Sequence, residues 1–254
     1  MTDARSYWNK RHSEYSDYGS GTFTHSEPAN RWFYRTKRKR IYEILRASHI
    51  SLSQASVLDV ACGSGIFVQF FLESGAQKVT GIDISDKAVD VCRERFADTK
   101  GCRFERVDIS SDISLLEKGT FDLACMFEAI FLLTEETAFI AALRNQCSLL
   151  KPGGHLLISD HFPPATQIRH DRLTYYSRSL YEQVMGDNGV KIVAVFPQTR
   201  IFNRAVFPSR YQSLVERRFP ALLYSLDRIA LRFPRREIKA EDMFYCLAKK
   251  TTPA

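Results

Sequence analysis

The sequence lacks long apolar runs, paired cysteine motifs and an apolar leader. Its apolar stretches, such as residues 129–133, are too short to cross a bilayer. The first residues carry no apolar signal core, so we expect a cytoplasmic protein. Six cysteines occur without a C-x-x-C pair and without histidine at zinc-ligand spacing. This pattern argues against a disulfide framework and against a metal site, and favours reduced, buried thiols.

Charge is unevenly distributed along the 254 residues. The net charge of +7 divides into +4 over residues 1–45, −4 over residues 46–197 and +7 over residues 198–254. Basic ends around an acidic middle favour an anionic small molecule, nucleic acid or an anionic membrane as partner. Surface charge that serves solubility explains them equally well.

Short β-branched runs alternate with helical patterns between about residues 56 and 160, which predicts βαβ units and a parallel sheet. Strands are predicted at 55–60, 78–83, 102–108, 121–126, 155–159, 190–196 and 243–248. Helices are predicted at 66–74, 86–96, 134–149 and 177–185. Ser85 is the expected N-cap of the second helix, and residues 151–154 are an expected turn.

Two segments lie outside this alternation, and we expect both to cover one edge of the sheet. Residues 1–50 are rich in Tyr, Trp and Arg, and are predicted to be a cap segment, helical from about Arg31. Residues 51–254 form the main domain, with a helical insertion at 197–241. Within it Pro220 suits a helix start. The apolar stripe of that helix, expected to pack on the domain, comprises Leu222, Leu226, Ile229 and Phe233.

A glycine-containing turn follows the first predicted strand, where residues 57–65 read Val-Leu-Asp-Val-Ala-Cys-Gly-Ser-Gly. The glycines let the backbone approach a ligand at the N-terminus of the next helix. The second strand ends in Asp83, where a ribose diol would lie, and the third in Asp108, within reach of an adenine amine. A dinucleotide fingerprint needs a third glycine, which is missing here. Asp59 suits an ammonium or sulfonium cofactor, so NAD ranks second.

These residues resemble the class I S-adenosylmethionine (SAM)-dependent methyltransferases. The matching segments, in chain order, are 57–67, 79–85, 107–108, 121–128 and 149–154. The resemblance implies an α/β fold with a doubly wound, Rossmann-like sheet of seven strands, the last one antiparallel. It also implies SAM as cofactor and S-adenosylhomocysteine as product. The sequence departs from the family pattern at Ala61, where glycine is usual.

The resemblance further implies roles for individual residues. It assigns Asp59 and the turn 63–65 to the methionine part of SAM, Asp83 to the ribose hydroxyls and Asp108 to the adenine amine. The implied cofactor contacts are Asp59, Ala61, Cys62, Gly63, Ser64, Gly65, Asp83, Ile84, Asp108, Ile109 and Phe127.

Two residues are candidate general bases for a methyl acceptor. His161 follows the fifth strand beside Asp160, which could raise the basicity of its imidazole. Glu128 follows the fourth strand, at the same sheet edge. For each of them, the alternative interpretation is an ordinary loop residue without a catalytic role.

Two further features of the N-terminal segment have alternative interpretations. The basic run 36–40 fits a nucleic-acid patch, but a solvated helix face explains it more simply. Six aromatic side chains either close over a sulfonium or pack a helix on the sheet: Tyr7, Trp8, Tyr15, Tyr18, Trp32 and Tyr34.

The expected function is methyl transfer to a small-molecule acceptor, at a hydroxyl oxygen. The sequence has no Asn-Pro-Pro-Tyr segment after the fourth strand, which disfavours amino-nitrogen methylation of adenine or glutamine. It also has no Pro-Cys nucleophile pair, which disfavours carbon methylation of cytosine. An RNA methyltransferase is the enzymatic alternative, because the ends are basic, although no RNA-binding module is recognisable. A catalytically silent subunit of the same fold is the alternative from another class.

Overall fold

A computed structural model describes residues 3–14, 27–170, 173–199, 218–231 and 242–252. The strands within these residues are β1 (Ser56–Val60), β2 (Lys78–Asp83), β3 (Cys102–Arg106), β4 (Phe121–Phe127), β5 (Leu150–Asp160), β6 (Gln167–His170), β7 (Leu173–Tyr175), β8 (Val190–Pro197) and β9 (Phe244–Lys250). The helices are α1 (Ala4–Glu14), α2 (Glu27–Ala47), α3 (Ile66–Glu73), α4 (Asp86–Arg95), α5 (Glu136–Leu149), α6 (Arg178–Asp187) and α7 (Pro220–Ala230).

Seven strands form one sheet in the order β3-β2-β1-β4-β5-β9-β8. The pairings from β3 to β5 are parallel, whereas β9 runs antiparallel to both β5 and β8. The seven-stranded sheet with an antiparallel last strand is therefore confirmed. Because β1 lies between β2 and β4, the order in which strands are added to the sheet reverses beside β1. Such a switch point opens a crevice beyond the carboxyl ends of the strands.

Two features of the strands differ from the sequence prediction. The segment 151–154, predicted as a turn before a strand, lies inside β5, and the register between Phe121 and Leu123 of β4 shifts to accommodate it. Gly153 has φ +78° there, which explains the turn-like composition. The antiparallel hairpin of β6 and β7 was not predicted, because strands of four and three residues carry too little periodicity.

Helices cover both faces of the sheet. On one face α5 and α6 pack with the inward side chains of β4, β5 and β9, and on the other α3 and α4 are joined by α2. Ile41, Ile44 and Leu45 of α2 belong to this second core. The expectation that the N-terminal segment covers a sheet edge is therefore wrong for α2, because its helical apolar spacing fits a sheet face. All six cysteines are free thiols, and all but Cys102 are buried.

The helix α7 packs on α2 through residues that the apolar stripe did not include. Leu223 is buried against Phe33 of α2, and Arg228 forms an ion pair with Glu43 at 2.8 Å. Leu222 is 54% exposed. The stripe residues that are exposed are Leu222, Leu226 and Ile229, while Phe233 lies outside the described residues. The expected packing of this stripe on the domain is wrong, since α7 is rotated to turn Leu223 towards α2.

The basic run 36–40 is not a continuous solvated face. Lys37 is buried, Arg38 pairs with Glu73, and Arg40 donates to the carbonyl of Pro197 at 3.0 Å. Lys39 remains exposed. Helical geometry distributes consecutive residues around the axis, so the charge run in the sequence does not become a charge patch. Across the described part of the chain, no helix is both long enough and apolar enough to span a bilayer.

Candidate functional site

A cavity of about 420 Å³ lies in the crevice at the carboxyl ends of β1, β2 and β4. Every residue that the family resemblance assigned to the cofactor lines it, except Gly65. Gly65 instead faces α4, where an added Cβ would come within 2.7 Å of the Phe96 ring. The glycine is therefore required for close packing of the turn on α4, with φ +80°.

The turn after β1 explains the departure at Ala61. Ala61 has φ +58°, a left-handed conformation that glycine adopts without strain. Its side chain is exposed, so the methyl group meets no steric clash. The unfavourable energy is limited to the left-handed backbone conformation of an L-residue. Gly63 also has a positive φ, and the Cys62 amide donates to the carbonyl of Ile82 at 3.0 Å. The alanine thus leaves the path of the turn intact.

Asp83 at the end of β2 is buried and tied to the backbone around it. Its Oδ2 accepts from the Gly63 amide at 3.0 Å, and its Oδ1 accepts from the Ser85 amide at 2.9 Å. Burial raises the pKa of this carboxyl, while these amide donors and His12 oppose that rise. Each carboxylate oxygen accepts more than one hydrogen bond. Asp83 is therefore held in one orientation with acceptor capacity left for a diol.

Asp59 at the end of β1 is buried, and its Oδ2 has no hydrogen-bond partner among the described residues. Burial and the neighbouring charge of Asp83 raise the pKa of Asp59 to about 8. A buried carboxyl without a donor is costly unless a ligand supplies one. SAM carries an ammonium group and a sulfonium, and both would favour the charged carboxylate. The residues present therefore fit this cofactor.

Asp108 follows β3 on the same side of β1 as Asp83. Its Oδ1 accepts from the Ser110 amide at 2.9 Å and from the Ser110 hydroxyl at 2.7 Å. This local turn fixes the carboxylate at the cavity wall, with Ile109 beside it. An adenine amine could donate to the other oxygen.

We expect Asp83→Asn to weaken SAM binding by about 10- to 100-fold, because the ribose hydroxyls lose a charge-assisted acceptor typically worth ~1.5–3 kcal/mol. Asparagine keeps the size of the side chain and one acceptor for the backbone amides. Isothermal titration calorimetry with SAM measures the effect. Asp112→Asn is the matched control, since Asp112 is exposed and makes a similar turn with Ser114. Equal SAM affinity in both variants would remove Asp83 from the site.

The helix α1 closes one side of the cavity with Trp8 and His12, which lie one turn apart on the same face. Asn9 fastens the helix to the start of α4: its Oδ1 accepts from the Ser85 hydroxyl at 2.7 Å, and its Nδ2 donates to Asp86 at 3.2 Å. Arg5 adds an ion pair with Asp86 at 2.7 Å. The contact is polar and local, so α1 is attached by a few hydrogen bonds and not by a shared core.

Asn9→Ala should weaken SAM binding several-fold without changing the fold, because it removes the hydrogen bonds that fasten α1. Lys10→Ala is the control, since Lys10 is exposed on the same helix.

Deleting residues 1–14 should leave the sheet folded, because Arg11 is the only buried residue of α1. The same deletion should abolish turnover. Circular dichroism reports the fold and calorimetry the affinity; full SAM binding by the truncated chain would contradict a cap role.

Glu128 lines the same cavity on the opposite side of β1 from Asp83 and Asp108. Its Oε2 lies 2.5 Å from Nζ of Lys37, and its Oε1 accepts from Nε2 of Gln198 at 3.0 Å. Around it the cavity wall is apolar. The apolar lining residues on this side are Phe33, Tyr34, Phe131, Leu132, Leu133, Leu173 and Met243.

His161 lies behind the cavity wall. Its ring contacts Tyr175 at 4.0 Å and Phe131 at 6.3 Å between centroids, and it is absent from the described residues that line the cavity. The Asp160 carboxylate accepts from the backbone amide of His161 at 2.6 Å and from the Tyr181 hydroxyl. The Asp160 carboxylate is therefore engaged by the backbone amide of His161 and by Tyr181. The role of His161 as base stays a prediction.

The aromatic residues of the N-terminal segment divide between two roles. Trp8 and Tyr34 line the cavity, whereas Trp32 packs against Tyr224 of α7. Tyr7 contacts Trp8 edge to face. Tyr15 and Tyr18 lie outside the described residues.

Sequence reasoning did not identify His12, Lys37 or Gln198 as members of the site. His12 gave no motif, and Gln198 follows a strand far along the chain. The signal for Lys37 was available: it stands at the 3–4 residue spacing of Phe33, Ile41 and Ile44, the buried face of α2.

Comparison with known proteins finds similar chains. Residues 57–154 match the model of a family described as a methyltransferase domain. The chain is 32% identical over 138 residues to a ubiquinone biosynthesis O-methyltransferase of Xanthomonas euvesicatoria; the match covers 52% of this chain and 56% of that relative. This chain thus spans little more than half the length of such curated relatives.

Solved structures share the fold at low identity. Magnesium protoporphyrin IX methyltransferase of Synechocystis, determined with bound S-adenosylhomocysteine, superimposes with a TM-score of 0.60 at 16% identity, over 97% of this chain and 98% of that one. The cyclase SpnF superimposes with a TM-score of 0.54 at 18% identity, over 84% and 81%. The fold alone therefore does not define the reaction. Residues 57–154 therefore match a methyltransferase domain, and the sheet topology is the fold of SAM-dependent methyltransferases.

Proposed function

We propose that the protein transfers the methyl group of SAM to a hydroxyl oxygen of a small molecule, in the cytoplasm. The observation that carries this proposal is a single cavity that joins the three strand-end acids to Glu128 and an apolar wall. The relatives named O-methyltransferase support oxygen as the acceptor atom. A concave site of this size favours small molecules over a polymer.

The acceptor that fits this wall is an uncharged hydroxyl compound. The described lining residues include aromatic and aliphatic side chains and Glu128 on the acceptor side, and no Lys or Arg. This argues against the anionic substrate that the basic ends suggested. The basic run 36–40, with Lys37 buried and two of its arginines in ion pairs, gives no support to an RNA-binding surface.

The chemistry assigned to the protein is alignment and proton transfer. When bound, SAM supplies an activated methyl carbon on its sulfonium. The apolar wall would hold the acceptor with its oxygen beside the bound cofactor and would exclude water. Transfer of the methyl group to that oxygen would leave a methyl ether and S-adenosylhomocysteine, and the Glu128 carboxylate would accept the hydroxyl proton and later release it to solvent.

Methyl transfer from labelled SAM tests the function directly. The full chain is incubated with methyl-labelled SAM and either a small-molecule extract of the host or its RNA. We expect label in the small-molecule fraction and at an ether on analysis by mass spectrometry. Label confined to RNA would support the RNA methyltransferase instead, and SAM binding without transfer to either would support a silent subunit.

A further inference from the structure

Lys37 of α2 is buried beside the proposed acceptor site. Its side chain is 1% exposed, although it stands in a run of basic residues. Its Nζ lies 3.9 Å from the ring centre of Phe33 and 4.6 Å from that of Tyr34, both of which line the cavity. Cation–π contacts of this kind stabilise an ammonium that water no longer reaches.

The charged partner of Lys37 is Glu128, whose Oε2 lies 2.5 Å away. Gln198 donates to the other oxygen of Glu128 at 3.0 Å, and the Glu128 amide donates to the Ser159 hydroxyl at 2.8 Å. Glu128 has φ +55°, a conformation that a non-glycine residue keeps only when its surroundings hold it there. Contacts from α2, β5 and the segment after β8 therefore fix this one carboxylate at the cavity wall.

The electrostatic surroundings make the two charges depend on each other. Burial lowers the pKa of Lys37, and the Glu128 carboxylate opposes that change. The other titratable groups close by include Tyr34 and Arg40 on α2 and Tyr245 on β9. Burial and Glu128 raise the pKa of Tyr245, so it stays neutral, and Arg40 pairs with Glu43 on its own helix. Lys37 is therefore the cation that balances Glu128.

We propose that Lys37 is a positioning residue for the methyl transfer: it pairs with the Glu128 carboxylate and orients it so that Glu128 accepts the proton of the acceptor hydroxyl. This inference rests on the function proposed above. Each carboxylate oxygen of Glu128 keeps an acceptor site after its contacts with Lys37 and Gln198. Loss of the opposite charge in a Lys37 variant disfavours the ionised form of the carboxyl and removes the contact that sets its direction.

The first test is the pH profile of kcat in Lys37→Met, Lys37→Arg and Lys39→Met. In Lys37→Met we expect kcat to fall at least 100-fold at pH 6 and to recover as the pH rises, because hydroxide then deprotonates the unpaired carboxyl. Lys37→Arg keeps the cation and should retain the parental profile with a smaller loss of rate. Lys39→Met is the matched control, since Lys39 is exposed on the same helix. SAM affinity should stay within twofold in all three.

A uniform loss of rate in Lys37→Met, with the acid limb of the profile at the parental pH, would overturn the proposal. It would mean that Lys37 only supports the structure. The same conclusion would follow if Lys37→Arg were no better than Lys37→Met.

The second test needs no acceptor and so separates this inference from the proposed function. A partly buried carboxylate that loses its charge partner in the folded chain binds its proton more tightly there than in the unfolded chain, so stability falls as the pH rises. The melting temperature of Lys37→Met should therefore drop by about 5 °C or more between pH 5 and pH 8, relative to the parent. Adding Glu128→Gln to Lys37→Met should remove that dependence, and this double variant is measured if the single one does not fold. If the melting temperature depended on pH equally in the parent, the single variant and the double variant, the proposed charged pair of Lys37 and Glu128 would be wrong.

Discussion

Glu128→Gln should lower kcat by about 10²–10⁴-fold, the range expected when a positioned general base is removed. The amide matches the carboxylate in size and keeps an oxygen for Gln198, so the geometry of the wall is retained. SAM affinity should stay within about threefold, because the acids that face the cofactor lie on β1, β2 and after β3. Steady-state kinetics on the acceptor identified by methyl labelling measures the rate, and calorimetry measures the affinity.

His161→Ala is the comparison that distinguishes the two candidate bases. Since the ring of His161 lies behind Phe131 and packs on Tyr175, we expect a change in kcat of less than about tenfold. If His161 were the base, its alanine variant would lose the 10²–10⁴-fold instead, and the parental rate would fall as the pH drops through the ordinary histidine range near 6.5. With Glu128 as base, the rate should not follow the protonation of an imidazole. A large loss in His161→Ala and a small one in Glu128→Gln would contradict our assignment.

Asp59→Asn should stabilise the protein without SAM and weaken its binding of SAM. Burial and Asp83 raise the pKa of Asp59 to about 8, so the folded chain holds a proton that the unfolded chain has lost above about pH 4. Stability therefore decreases as the pH rises from about 4 to 8, and asparagine removes this loss. We expect a gain of about 1–3 kcal/mol at pH 8 and little change at pH 4. Thermal unfolding at the two pH values measures it.

The same carboxyl should release a proton when SAM binds near pH 7. A cation beside Asp59 favours the carboxylate, so the proton held in the free protein leaves on binding. Calorimetry in two buffers of different ionisation enthalpy counts that proton, and Asp59→Asn should abolish it while weakening SAM about 10- to 100-fold. Proton release that is unchanged in Asp59→Asn would show that another group titrates.

The cofactor side of the molecule is determined by short-range sequence. The acids Asp59, Asp83 and Asp108 each end or follow a strand, and the glycines 63 and 65 stand in one turn. Parallel strands bring their carboxyl ends to one edge, so the order of these motifs along the chain already fixes their arrangement in space. The alternation of strand and helix therefore predicted the sheet, whereas the family resemblance proposed the residues that line this wall. Ala61 marks a limit of prediction from sequence, because its glycine-like backbone conformation is seen only in the structure.

The acceptor side was decided by tertiary structure. Lys37, Glu128 and Gln198 are far apart in the chain, and they meet because α2 packs on the sheet face and β8 returns beside β9. A run of basic residues shows only charge in the sequence, and packing alone determines which of its members turns inward. The same holds for α7, where burial of Leu223 left the predicted apolar stripe exposed. Local pattern thus specified the cofactor wall, because its residues follow the strand ends, whereas long-range packing specified the proposed base and its cation, because no local spacing links them.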